Sequence, residues 1–398
     1  MKVLHINTND RGGAATAIIR IHLGLLKKGV DSKILFLNKR KDIPQSFPFE
    51  NTNSISKRIL QKVMGLFQTS AKSIMDNNPE IEWFSLPTSP YDITQHPLYK
   101  EADIIQLNWV SGFLDEPSFF RKNTKPIVWR MPDLYACGGG YHYEKGFPFS
   151  KLKPMLEKNE KLRIGALKNS SITFVPISEW VKSKAEASPI ISIFPKQVIH
   201  NGLDFTVWQP INKWEARKQF QIPLDKKVIL LGADIAHIQR KGFQMAINAI
   251  QTLDNSEICT VVFGNYKSDL PKGVINVGKI HSETELVRLY SAADYFIMPS
   301  IEEAFGQVTI EALACGLPVI SFPNGGSLDI IKPNFNGILA TDFSKDALAD
   351  ALKRGLQVPF NSEMIIKDIR ERFHIEQIVE TYLSLYQRLL DRKLLDSN

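Results

Sequence analysis

The sequence predicts two parallel α/β domains in series, and three observations predict it. Residues 2–7 (KVLHIN) form an apolar run that passes through a polar loop ending in Gly12-Gly13, then a helical pattern, then a second apolar run at 32–37. Strand, glycine loop, helix and strand in that order belong to a parallel sheet. The alternation restarts near residue 227 and continues past residue 350. Finally, 398 residues, 43% hydrophobic and 23% charged, are enough for two cores and exclude a disordered or fibrous chain.

Taken in order, residues 14–28 read as the first helix, with Ile18, Ile21 and Leu25 on one face and Gly29 as its stop. Residues 38–98 are rich in Asn, Ser, Lys and Pro and read as an insertion bearing one or two helices. Its basic amphipathic stretch, 55–75, would pack on the domain or touch a membrane surface. Strands are expected at 102–107, 127–130, 172–176 and 197–200, and a helix over 178–187 with Ser178 as N-cap. The first domain is thus 1–205 and the second 206–374. In the second, strands are expected at 227–232, 259–264, 274–277, 295–298 and 318–322, with helices at 242–254, 282–293, 306–315 and 345–356. A last helix, about 375–398, should pack back on the first domain. Ligands of such sheets sit at the carboxyl ends of strands, which places the expected site in a deep cleft between the domains.

Three cysteines, Cys137, Cys259 and Cys315, are too few and scattered for a disulfide framework or a zinc site. The first residues turn polar too early for a secretory leader, and no apolar run reaches membrane-spanning length, so a cytoplasmic location is expected. The net charge is +7, but residues 1–200 hold 28 basic and 18 acidic residues against 21 and 24 in the remainder. The first half therefore suits an anionic partner, either the inner face of a membrane or a phosphorylated substrate. No basic stripe with interleaved aromatics supports nucleic acid.

The richest segment is 298–328, MPSIEEAFGQVTIEALACGLPVISFPNGGSL. A strand ends, Glu302 and Glu303 follow, and Gly306 opens a helix carrying Glu311. Amide groups at a helix start attract anions, and two carboxylates eight residues apart can accept hydrogen bonds from ligand hydroxyls. Arg240-Lys241 supplies two cations before another helix. The chain contains no D-x-D triplet, so no metal-clamped diphosphate has an obvious ligand pair.

The E-x7-E spacing of Glu303 and Glu311, in the form E-A-F-G-x-x-x-x-E-A, resembles retaining glycosyltransferases of GT-B fold, the large family four. Segments 7–13, 198–204 (VIHNGLD), 240–242, 291–294 (SAAD) and 318–326 are similar to the same family and stand in its order. Segments 102–114 and 127–143 further resemble enzymes of bacterial surface-polysaccharide assembly (capsule, O-antigen or exopolysaccharide). The resemblance implies two Rossmann-like domains facing a cleft. It also implies transfer of a sugar from a nucleotide-diphosphate donor, a UDP- or GDP-sugar, to a glycan or lipid-linked acceptor, with neither cofactor nor metal. In that reading Glu303 holds donor-sugar hydroxyls, backbone groups of Ala304, Phe305, Gly306 and Gln307 meet sugar and phosphates, and Glu311 takes the ribose. Arg240 and Lys241 bind the diphosphate; Gly12 and Gly13 let the first loop approach it. Lys279 and Ile280 meet the base, and Asn324, Gly325 and Gly326 line the pocket. Asp133 orients donor or acceptor, and Asn108 and His142 are acceptor-side candidates.

The sequence departs from that pattern twice. Gly232-Ala233 stands where many relatives carry Gly-Arg, and Pro132 stands where many carry a histidine before Asp133. Two other readings stay open on that account: a non-catalytic sugar-nucleotide or glycan binder on a degenerate scaffold, and an epimerase that turns over donor alone.

Overall fold

In a computed structural model, the structure describes residues 1–50, 71–235, 238–265 and 270–396. Most of the 55–75 stretch lies outside them. The chain divides into two units, Met1–His200 with Glu376–Asn398, and Asn201–Ile375.

The first unit carries β1 (Lys2–Asn9), β2 (Asp31–Asn38), β3 (Ser46–Pro48), β4 (Ile104–Leu107), β5 (Ile127–Met131) and β6 (Ile172–Pro176). They form one parallel sheet in the order β3-β2-β1-β4-β5-β6. Every residue of β4, β5 and β6 is buried, as expected of a sheet covered on both faces. The winding reverses between β1 and β4, which opens a crevice at their carboxyl ends. The first helix spans Gly13–Lys27 and buries Ile18, Ile21 and Leu25 completely. Ser178 caps the Glu179–Glu186 helix by accepting from Val181 N.

One expectation fails here. The strand expected at 197–200 is reduced to a bridge between Phe174 and Lys196. Phe174 N, Gln197 N and Ile199 N make ladder-like bonds, but Pro176 has no N–H with which to continue the ladder. A long helix, Phe149–Leu167, also went unforeseen. Its buried face carries Leu156, Asn159, Arg163 and Leu167, so two polar residues interrupt the apolar period. Arg163 is fully buried and donates to Glu116 Oε2 at 2.9 Å, while Glu116 Oε1 accepts from the Tyr135 hydroxyl at 2.7 Å.

The second unit carries β7 (Lys227–Ile235), β8 (Ile258–Asn265), β9 (Ile275–Asn276), β10 (Tyr295–Met298), β11 (Val319–Ser321) and β12 (Gly337–Leu339), ordered β12-β11-β10-β7-β8-β9 and all parallel. Here the reversal lies between β7 and β10. Ile229, Leu231, Ile297 and Ile320 from the sheet meet Ala246, Leu348 and Leu352 from two helices in one core. The three-residue β12 and the helices Lys213–Gln219 and Ser362–Phe373 were not foreseen.

The last helix, Ile375–Asp396, belongs from Glu376 onward to the first unit. Val379, Tyr382, Leu385 and Tyr386 are buried, and the Tyr386 hydroxyl bonds to Gln106 Oε1 beneath β4. Among the described residues no helix is long and apolar enough to cross a membrane.

Candidate active site

The loops after β7 and β10 meet at the second unit's reversal. After β7 comes the short turn Gln239–Lys241, ended by Gly242 at φ +63°. A Cβ on Gly242 would lie 2.0 Å from Pro299 O, so only glycine lets this turn rest on the loop after β10. Ile301 N donates to Arg240 O at 2.8 Å, and the Arg240 guanidinium donates to Glu302 O. Pinned this way, Lys241 Nζ reaches Glu303 Oε2 at 2.6 Å, with Arg240 Nη1 3.8 Å from the same oxygen. Arg240 is nearly buried and braces the loop, whereas the Lys241 side chain is 25% exposed and the more open to a ligand.

The far side of the loop is clipped by 324–326. Gly326 N donates to Glu303 O at 2.8 Å, and Asn324 Nδ2 donates to Ser300 O at 2.8 Å. Gly326 lies against Phe305, where a Cβ would fall 2.2 Å from its Cα. Asn324, Gly325 and Gly326 are all buried, as are Ala304, Phe305 and Gly306.

Burial by itself would raise the Glu303 carboxyl. The charges of Lys241 and Arg240, and a hydrogen bond from the Ala304 amide, overcome it and hold the group below the usual carboxylate range. Glu303 is therefore a carboxylate, an acceptor fixed in position.

The helix Gln307–Ala314 starts at Gly306, φ +90°, with no side-chain cap and no acidic residue in its first turn. Elsewhere in this unit Ser282, Ser344 and Asn361 cap their helices. The uncapped start presents amide N–H groups and a partial positive charge. Thr309 Oγ1 and Gln307 Oε1 are buried there without a hydrogen-bond partner among the described residues. Glu311 is buried and accepts from Gln307 Nε2 at 3.4 Å. Lys279, exposed, and Ile280, half-buried, follow edge strand β9, two strands and so about 10 Å along the sheet from β7.

In the first unit, Gly12 (φ +86°) and Gly13 open the first helix, again without a cap or an acidic first turn. Both are exposed, and no atom lies within 4 Å of where their Cβ would stand. Asp10 holds this loop by accepting from Arg40 N and Lys41 N. Asn108 is buried and bonded to Gln106 Nε2 at 3.1 Å and to Ile6 O, so it sits within the sheet's own network.

Asp133 and His142 meet directly, with Nδ1 and Oδ2 2.6 Å apart. A histidine therefore reaches the residue that follows Pro132, although it arrives from the glycine-rich loop. Its Nε2 lies 2.7 Å from Ser85 Oγ, which in turn bonds to Ser111. Ser85, Ser111, Ser300 and Thr309 were not among the residues singled out. Thr309 and Ser300 lie inside the recognised segment, but Ser85, Ser111 and His142 come from three separate stretches that no short-range spacing connects.

Residues 212–372 match the family described as Glycosyl transferases group 1. An uncharacterised glycosyltransferase of Methanocaldococcus jannaschii is 28% identical over 230 residues, covering 52% of this chain and 58% of that protein. A D-inositol 3-phosphate glycosyltransferase of Mycobacterium tuberculosis is 29% identical over 198 residues, 45% of this chain and 40% of that one. The chain thus spans little more than half the length of the curated relatives it matches, or less. Sucrose-phosphate synthase from Thermosynechococcus elongatus superposes with a TM-score of 0.71 at 17% identity, covering 98% of this chain and 100% of that one. The Anabaena protein HepE, solved with UDP and glucose, gives 0.71 at 16%, covering 97% and 99%. The fold is GT-B, two Rossmann-like α/β domains.

Proposed function

We propose that this protein is a retaining glycosyltransferase that moves a sugar from a nucleoside-diphosphate donor to a hydroxyl of a glycan or lipid-linked acceptor, without a metal ion. The setting proposed is assembly of bacterial cell-surface polysaccharide. The observation that carries the reading is the Lys241–Glu303 pair at 2.6 Å, set at the sheet reversal beside an uncapped helix start. The match of 212–372 to a glycosyltransferase family supports it, as does the UDP held by HepE.

In this reading the donor diphosphate lies against Lys241 and the amides that open the Gln307–Ala314 helix. Glu303 accepts hydrogen bonds from donor-sugar hydroxyls, and Glu311 accepts from the ribose. The bond between the anomeric carbon and the phosphate oxygen breaks as the acceptor oxygen bonds to that carbon on the same face. The acceptor proton passes to the departing phosphate oxygen. Products are a glycoside and a nucleoside diphosphate, and no side chain need act as general base. Charge grows on the diphosphate as the bond breaks, where a fixed cation and aligned amides stabilise it most.

The test is nucleotide release from UDP-glucose and GDP-mannose with a panel of lipid-linked and free glycans, in buffer containing EDTA. Release that depends on acceptor, survives EDTA and gives a product with the donor's anomeric configuration is the expected result. Donor binding without any release would instead favour the non-catalytic reading that Pro132 and Ala233 raise. Release without acceptor would favour epimerase-type turnover.

A further inference from the structure

We propose that Trp83 and Trp109 form a fixed platform on which a pyranose ring of the acceptor stacks; this rests on the transferase reading above. Trp83 is 43% exposed, and Trp109 beside it is half-buried, with ring centroids 5.4 Å apart at 53°. An indole at the surface is ordinary when it is loose. Here both indoles are held by one buried network.

Trp83 Nε1 donates to Ser111 Oγ at 3.1 Å, Ser111 bonds to Ser85, Ser85 Oγ lies 2.7 Å from His142 Nε2, and His142 Nδ1 lies 2.6 Å from Asp133 Oδ2. That same oxygen accepts from Trp109 Nε1 at 3.0 Å. A carboxylate only accepts, so His142 Nδ1 and Trp109 Nε1 both donate to Asp133, and Trp83 Nε1 donates to Ser111; with the imidazole in its neutral Nδ1–H tautomer, Nε2 accepts from Ser85 and Ser85 accepts from Ser111. In that tautomer every donor points one way, from either indole toward Asp133. Ser85, Ser111, Asp133 and His142 are all buried. Aligned bonds away from water reinforce one another, so the rings are pre-organised.

With both N–H groups spent inside the network, what Trp83 offers a ligand is an apolar π face. A sugar ring matches it: one flat C–H face, with hydroxyls around the rim left to water and polar neighbours. The position fits as well. Trp109 follows β4, and its backbone is tied to the end of β1 by Thr8 N to Trp109 O and Trp109 N to Asn7 Oδ1, both at 2.8 Å. The platform therefore stands at the first unit's sheet reversal, on the same rim as Gly12 and Gly13. The donor diphosphate is assigned to Lys241 of the second unit, and no donor contact is assigned to Trp83 or Trp109.

The experiment is saturation-transfer NMR on the full chain with methyl α-glucopyranoside, methyl α-mannopyranoside and methyl β-galactopyranoside as probes, beside calorimetry with UDP and with GDP. Wild type should transfer saturation to the ring C–H protons of at least one glycoside. Trp83→Leu, which keeps bulk but no π face, should weaken that glycoside about tenfold, while Trp83→Phe retains most of the affinity and both variants bind UDP as wild type does. Equal glycoside binding by Trp83→Leu, or no transfer to any glycoside in wild type, would overturn the proposal. So would saturation of the uracil ring that vanishes in Trp83→Leu, which would make the pair a base platform. Glycoside transfer with binding of neither UDP nor GDP would uphold the platform and remove the transferase reading.

Discussion

At Glu303, burial and charge pull in opposite directions, and charge wins because Lys241 sits 2.6 Å away with Arg240 behind it. The sign of the pH dependence follows. The folded carboxyl ionises below its unfolded value of roughly 4.3. Its contribution to stability is thus fully present above that value and is lost as pH falls through the lowered folded value. Glu303→Gln should accordingly show its largest deficit in unfolding free energy between pH 6 and 8, by urea titration, and the deficit should shrink below about pH 4. A deficit that does not change with pH would mean the ion pair adds nothing in the folded state. The two residues are 62 apart in the chain, and no local pattern joins them. The family resemblance gave the two separate roles at the donor and did not foresee their pairing, whereas the eight-residue spacing of Glu303 and Glu311 is visible in the sequence itself.

Between elements, Asp294 binds three pieces of the second unit. Oδ2 accepts from Arg217 Nη2 and Val228 N, both at 2.7 Å, and Oδ1 accepts from Lys213 Nζ at 2.7 Å, which ties the Lys213–Gln219 helix to β7 and β10. Burial opposes the charge on Asp294, but these partners hold it below the usual carboxylate range. Asp294→Asn leaves the buried Arg217 without its counter-charge and should cost about 3–5 kcal/mol, seen by calorimetry as a melting point lower by roughly 10 °C. An unchanged melting point would make the staple dispensable. The SAAD segment pointed to Asp294, but Arg217 carried no signal because Asp294, its counter-charge, lies 77 residues further along the chain. Elements with simple apolar periods were legible in the same way: β1, the Gly13–Lys27 helix and the β10 to Gln307–Ala314 passage all form from contiguous residues. The Phe149–Leu167 helix was not, since Asn159 and Arg163 occupy core positions that periodicity expects to be apolar. Ser85, Ser111, Asp133 and His142 were invisible as a network because only the β1–β4–β5 order brings them together.

For the whole molecule, charge is the unevenly distributed property. Residues 1–200 hold 28 basic and 18 acidic side chains, a surplus the rest of the chain lacks. If the acceptor is lipid-linked, the protein should co-sediment with vesicles containing anionic lipid, and the bound fraction should fall as salt rises from 50 to 300 mM (roughly 14 to 6 Å of screening length). Sedimentation indifferent to lipid charge and salt would argue for a soluble acceptor. The cation that matters most lies in the other unit, and the account turns on it. Calorimetry of UDP and UMP, or of GDP and GMP, with wild type and Lys241→Ala tests it most directly. The account predicts that wild type prefers the diphosphate at least about tenfold, and that Lys241→Ala erases this preference while leaving monophosphate affinity unchanged. A variant that still discriminates between diphosphate and monophosphate as wild type does would contradict it.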